Sequence, residues 1–138
     1  MRRLLARWSD LDVRDYAGLL ELAEGWSVAE LRVREDLWVA GRTLGRLDLR
    51  AEGLAVLGVH RPDGTYLGVP DAGTLVGTGD RLLLYGRGER IAELGLRRAG
   101  PEGDAAHGAA VARQRAVAAE QVVADVRSGG ATAPAAGG

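Results

Sequence analysis

The chain has 138 residues, with 18 basic and 19 acidic side chains, a net charge of −1 and no cysteine. A balance this close to neutral provides no global field for nucleic acid or an anionic membrane. The missing cysteines exclude disulfides, thiolate metal sites and cysteine nucleophiles together.

No apolar run approaches the roughly 18 residues that a membrane span requires, and the N-terminus lacks the apolar block of a signal peptide, so the chain is expected to be soluble. All the cations are arginine, and lysine, asparagine and phenylalanine are absent. That bias reads as GC-rich coding, so the arginine count is discounted as evidence about function.

Residues 1–26 are expected to be an N-terminal helical segment. Asp10 or Asp12 can cap a helix that runs to about Ala23, with Gly25 at its end. Val13, Tyr16, Ala17 and Leu20 recur at three- and four-residue spacing, one apolar stripe that needs a partner. Two partners stay open. One is the domain itself or a dimer mate. The other is a membrane, because basic residues and tryptophan, here Arg2, Arg3, Arg7 and Trp8, are typical of the cytoplasmic flank of a membrane segment.

A first strand is expected through about Val33, with Val28, Leu31 and Val33 as its apolar residues. Glu35 and Asp36 turn the chain, and Thr43 can cap a very short helix whose Leu44 and Leu47 face the core. Residues 54–87 then hold three apolar runs separated by Pro62-Asp63-Gly64 and Gly77-Thr78-Gly79-Asp80, which reads as strands joined by tight turns. In the first of these strands Leu54, Val56 and Gly58 are expected on one face and Ala55, Leu57 and Val59 on the other, apolar on both sides. That strand belongs at the centre of the sheet or at a subunit contact. A helix begins near Gly88, with Ile91 and Leu94 inward, and ends between Leu96 and Arg98.

From Ala99 the composition shifts to Ala, Gly, Pro and charge. Residues 101–104 read as a linker, with His107 in its mobile continuation. Residues 109–127 read as an Ala-rich helix with a thin valine stripe, able to pair with a copy of itself but expected to fray. The last residues read as a flexible tail. The domains are thus expected at 1–26, 27–98 and 99–138.

Catalytic chemistry finds no support. His60 and His107 lie in different segments without metal-ligand spacing, and none of the three serines sits in a nucleophile-elbow context. Gly86-Arg87-Gly88 follows a strand and opens a helix, but Ile91 stands where a dinucleotide fingerprint needs its third glycine, so these glycines read as a tight turn. No catalytic residue, metal or cofactor is expected. The better candidate is the segment before the first strand of residues 54–87. There Asp48 and Arg50 form either a surface or intersubunit ion pair, of little worth when exposed, or a ligand site. In the second reading Arg50 offers a forked donor to phosphate or carboxylate, while Leu44, Val56 and Leu57 hold a flat group.

The ordered set Gly41-Arg42-Thr43-Leu44 with Leu47, residues 54–59, Arg61-Pro62-Asp63-Gly64, Pro70, Thr74 and residues 79–86 resembles the TrkA-C or RCK-C domain, the C-terminal domain of regulators of potassium conductance. The resemblance covers about residues 27–97. It implies an α+β fold, a small β-α-β-β-β-α module with a largely antiparallel sheet. The N-terminal helix and the Ala-rich C-terminal helix and tail would be additions to it. It also implies a homodimer with a ligand site at the subunit interface, regulating potassium channels, Trk/Ktr-type transporters or cation/proton antiporters, with cyclic di-AMP as ligand in some members. The implied ligand residues are Leu44, Asp48, Arg50, Ala55, Val56 and Pro70, with Ala55 standing where the cyclic di-AMP binders carry an asparagine.

The expected partners are therefore a second copy, a membrane cation transporter or antiporter, and cyclic di-AMP, with no nucleic acid. The expected place is the cytoplasm, at the inner face of the membrane through a partner or a preceding membrane segment. The alternative is a dimerisation or tethering module that binds no small ligand.

Overall fold

The structure, a computed structural model, describes residues 13–15 and 23–129. Its elements in order are β1 (Val13–Asp15), β2 (Trp26–Arg32), β3 (Arg42–Thr43), α1 (Leu44–Leu47), a 3-10 turn (Leu49–Glu52), β4 (Ala55–His60), β5 (Tyr66–Gly68), β6 (Leu75–Val76), β7 (Arg81–Arg87), α2 (Gly88–Leu96) and α3 (Pro101–Gly129). The class is α+β, as the residue pattern predicts.

One sheet runs in the order β1-β2-β7-β4-β5, every neighbouring pair antiparallel, and β3 and β6 form a separate two-stranded ribbon. β7 holds the middle because it alternates cleanly, burying Leu82, Leu84 and Gly86 on one face. Across it, Ala29 and Leu31 of β2 lie opposite Leu84 and Leu82. α2 packs on β2 and β7 and places Ile91 and Leu94, both fully buried, on this core.

The turns are tied to one another. Arg61 donates to the Asp80 carboxylate at 2.5 Å and to the Leu75 carbonyl at 2.8 Å, while the Gly77 N–H donates to the same carboxylate at 2.8 Å. Asp80 is 3% exposed. A buried carboxylate needs such partners to offset its lost hydration, which is why Arg61-Pro62-Asp63-Gly64 and Gly79-Asp80 act as one unit although they are far apart in the chain.

Three expectations are corrected. Residues 13–15, placed by periodicity inside a helix, form a strand whose register sets Val13, Arg14 and Asp15 against Leu31, Glu30 and Ala29. β2 otherwise exposes a bare edge of backbone donors and acceptors, and pairing them outweighs a weak local helix preference. The rest of that expected helix, and the tail at 130–138, lie outside the described residues.

The second correction concerns the faces of β4, an interior strand flanked by β7 and β5. Val56 lies opposite Leu84 and Gly58 opposite Leu83, leaving Leu57 as the extra residue of a bulge. A bulge shifts the two-residue period by one. Val56 and Val59 therefore share the core side, with Val59 fully buried, and Leu57 is exposed.

The third lies in the supposed linker. Residues 101–104 are the first turn of α3, and His107 is half-buried within that helix. Pro101 is preorganised for the first helical position, where a missing N–H costs nothing, and Glu102 and Asp104 complement the positive helix end. Among the described residues no helix is long and apolar enough to cross a membrane.

Candidate functional site

The Thr43 hydroxyl accepts from the Arg46 N–H at 3.3 Å and starts α1, which lasts one turn. Asp48 ends it. Its φ of 51° and ψ of 48° are left-handed, and its N–H closes onto the Leu44 carbonyl at 3.1 Å. Asp tolerates that conformation better than most residues. The reversal launches the Leu49–Glu52 turn on a new heading, and the Leu54 N–H then bonds to the Leu49 carbonyl at 3.0 Å. Leu49 and Leu54, both buried, form an apolar floor.

The opposite wall comes from residues 70–72. It is held against α1 by the Gly45 N–H to the Ala72 carbonyl and the Leu44 N–H to the Thr74 carbonyl, both at 2.9 Å. A Cβ on Gly45 would stand 3.1 Å from the Ala72 carbonyl oxygen and its Cβ, so glycine permits this close approach. Asp71 caps its own loop by accepting from the Gly73 N–H at 3.0 Å. Just ahead of the wall, Val69 has φ 48° and is 86% exposed. A β-branched residue before proline is doubly disfavoured there, and such strain tends to collect at functional sites.

Between these walls lies a cavity of about 350 Å³, lined by Leu44, Asp48, Arg50, Val56 and Pro70 together with Gly45, Leu49, Leu54, Asp71 and Ala72. The structure thus brings five of the six residues selected from sequence to one place. Ala55 is not among the lining residues; strand alternation turns it to the opposite face from Val56. Asp71, Ala72 and the leucine floor were missed. The one available signal was the Asp71-x-x-Thr74 loop after Pro70.

Within the chain Asp48 and Arg50 do not form a surface ion pair with each other. Among the described residues neither side chain has an ion-pair or hydrogen-bond partner, whereas Arg42, Arg61, Arg81, Arg97 and Arg98 are each committed to a carboxylate. The cavity therefore offers one free fork of donors, carboxylates that accept, and apolar walls, a set able to hold a flat group bearing both an anion and N–H donors.

The other side of the Leu49–Glu52 turn faces α3. Glu52, 1% exposed, accepts from both terminal nitrogens of Arg97 at 2.8 Å and meets His107 Nδ1 at 2.6 Å. Arg97 also reaches Glu93. Burial pulls the Arg97 guanidinium down, yet its hydrogen bonds to Glu52 and Glu93 outweigh burial and hold it above its ordinary range. Trp38 stacks on His107 at 5.1 Å between ring centroids and donates its indole N–H to Asp104 at 2.9 Å. A Cβ on Gly103 would fall 2.2 Å from the Arg98 carbonyl oxygen and 2.6 Å from Trp38 Cδ1, so α3 seats closely only because that residue is glycine.

The architecture is thus an antiparallel sheet backed by α2, with a cavity at the α1 corner. The family model of the TrkA-C domain matches residues 28–97, and the chain belongs to that family, the RCK_C domains found in regulators of potassium conductance. No curated protein matches the chain.

Among solved structures, the RCK_C domain dimer of S. agalactiae BusR in complex with c-di-AMP is 21% identical, with a TM-score of 0.44, over 51% of this chain and 97% of that one. The GsuK channel bound to NAD is 26% identical, with a TM-score of 0.43, over 56% of this chain. This chain spans only 14% of the GsuK chain. S. agalactiae BusR in complex with its busA-promotor DNA is 20% identical, with a TM-score of 0.45, over 70% of this chain and 50% of that one.

Proposed function

We propose that this chain is a regulatory ligand-binding module of a bacterial potassium or cation transport system, a channel, a Trk/Ktr-type transporter or a cation/proton antiporter. In this reading it works as a homodimer on the cytoplasmic face of the membrane and senses a small phosphorylated ligand, cyclic di-AMP foremost. What supports the reading most is the uncommitted Arg50 guanidinium on the wall of a 350 Å³ cavity with an apolar floor.

Arg50 would take a phosphate, Asp48 an exocyclic amino group, and Leu44, Val56 and Pro70 the faces of the base. A cavity of this volume suits one nucleotide half, so two cavities facing each other across a dimer would share a cyclic dinucleotide. Exposed Val69 and Leu75, which bracket the Pro70–Ala72 wall in the chain, supply apolar surface for such a closure. The ligand would act by favouring one dimer geometry, which the transporter reads as a shift in population.

Titration calorimetry with cyclic di-AMP tests this. Wild type is expected to give saturable heat, and Arg50→Ala to weaken binding by at least about tenfold, since a charge-assisted pair contributes more than about 1.4 kcal/mol. No heat with wild type at high micromolar ligand removes the nucleotide. A dimer that is also indifferent to Arg50→Ala leaves the ligand-free tethering module.

A further inference from the structure

Helix α3 is about 43 Å long at 1.5 Å per residue, and only its first half is seated. Gly103, His107, Ala110 and Gln114 turn inward, whereas residues 115–128 are exposed on every side. A bare helical segment of that length is marginal in water. Exposed valines make it worse, because a β-branched side chain loses rotamer freedom on a helix and gains nothing there unless it is buried. Yet Val117, Val122, Val123 and Val126 are all exposed, the last at 67%.

The face opposite the seated one has a pattern. Ala109, Ala112, Ala116, Ala119, Val123 and Val126 succeed one another at alternating three- and four-residue steps, and each is exposed. That is an unbroken 3.5-residue repeat, the seam of a two-helix coiled coil. Arg113 and Glu120 flank the seam on one side at equivalent heptad positions.

We infer that this seam pairs α3 with the α3 of a second copy, antiparallel, about a two-fold axis between Val117 and Ala118. Charge fixes the register. With that centre, Arg113 lies beside Glu120 of the partner subunit, and the symmetry repeats the pair. Sliding one heptad in one direction sets Glu120 against the partner's Glu120, and in the other sets Arg113 against the partner's Arg113, both repulsive.

Size agrees with charge. The same register places Val123 against Ala112 of the partner subunit and Val126 against the partner's Ala109, so every valine meets an alanine and the two axes can stay evenly spaced, at about 8–10 Å. A parallel pair would stack valine on valine at one end and alanine on alanine at the other, and would align the two helix dipoles unfavourably. The seam shares no residue with the cavity, so this association is independent of the ligand reading.

The chain has no cysteine, so engineered thiols report cleanly. Chains carrying Ala116→Cys and Ala119→Cys, mixed and oxidised, are expected to give a mixed disulfide dimer, with neither alone cross-linking efficiently. In sedimentation, Arg113→Glu and Glu120→Arg are each expected to weaken association severalfold, and the double reversal to restore it. Ala116→Glu with Val123→Glu, at exposed positions that leave the monomer's core untouched, is expected to weaken association at least about tenfold. Unchanged helicity by circular dichroism separates that loss from unfolding. No mixed dimer, or wild-type association in the double glutamate variant, overturns the seam. A silent Arg113→Glu beside a damaging Glu120→Arg overturns the antiparallel order, because in a parallel pair Glu120 would meet the partner's Arg115 instead.

Discussion

Replacing Glu52 with alanine removes a carboxylate that serves two elements at once and is 1% exposed. Both its oxygens are engaged by Arg97, and one also meets His107. Deleting one partner of a buried ion pair costs about 3–5 kcal/mol, chiefly because the surviving charge is left without compensation. Here Arg97 keeps Glu93, whose side chain is 42% exposed and lies one helical turn away, which moves the ion-pair loss to the lower end, about 3 kcal/mol. His107 loses its own hydrogen-bond partner as well, which adds about 1 kcal/mol. Urea denaturation at neutral pH should therefore show Glu52→Ala less stable by about 3–4 kcal/mol. Hydrogen exchange should rise first in the N-terminal half of α3 while the sheet stays protected. Glu93→Ala is the control; its partly solvated pair is expected to cost no more than about 1 kcal/mol. A Glu52→Ala loss below about 1 kcal/mol, or equal losses in the two variants, would refute the reasoning.

Val69→Asn should stabilise the protein by about 1 kcal/mol in the same assay, since asparagine relieves a left-handed penalty of roughly 1–2 kcal/mol at a side chain that buries almost nothing. Gly103→Ala should destabilise by about 1–3 kcal/mol although alanine is the better helix former, because its Cβ collides with the Arg98 carbonyl; a more stable variant by thermal melt would show that α3 is not seated on Trp38. The hydrogen bond from Arg98 holds the Asp36 carboxyl below its ordinary range, and the Thr65 N–H does the same for Asp63. Lowered pKa values contribute stability that is present above the unfolded pKa and is lost as pH falls through the folded one. An acid titration of Asp36→Asn with Asp63→Asn should thus fall less steeply below about pH 4 than wild type.

What could be read from the sequence was what is local. The Arg61–Gly64 turn, the Thr43 cap and the inward Ile91 and Leu94 each announce themselves within four residues, because turn chemistry and helical period act at that range. Arg50 and Asp48 could be nominated, but that they stand apart, unpaired, on the wall of a cavity depends on the left-handed turn at Asp48. A dihedral of that kind leaves little trace in composition. The bulge at Leu57 was illegible for a similar reason: both parities of β4 are apolar, so the pattern does not say where the period slips. In the Glu52–Arg97–His107–Trp38 cluster Glu52 meets Arg97 45 residues on and His107 55 residues on, and nothing in the spacing of single charged residues foretells a partner at that distance. Pro101 is a legible sign that composition alone leaves ambiguous, because proline suits a break in a linker and a helix's first position equally, and here it holds the second.

The Leu49–Glu52 turn has a mechanical consequence. Leu49 and Arg50 line the cavity, and two residues later Glu52 grips α3 at His107. The turn is a single 3-10 turn of four residues, so a backbone shift at Arg50 would reach Glu52, and with it the seat of the long helix, within two residues. Beyond Gln114 the helix continues as an exposed arm of about 22 Å, and a tilt of roughly 10° would swing its far end by about 4 Å. A small backbone change beside the cavity would thus be magnified along α3 to a displacement of several ångströms at its tip.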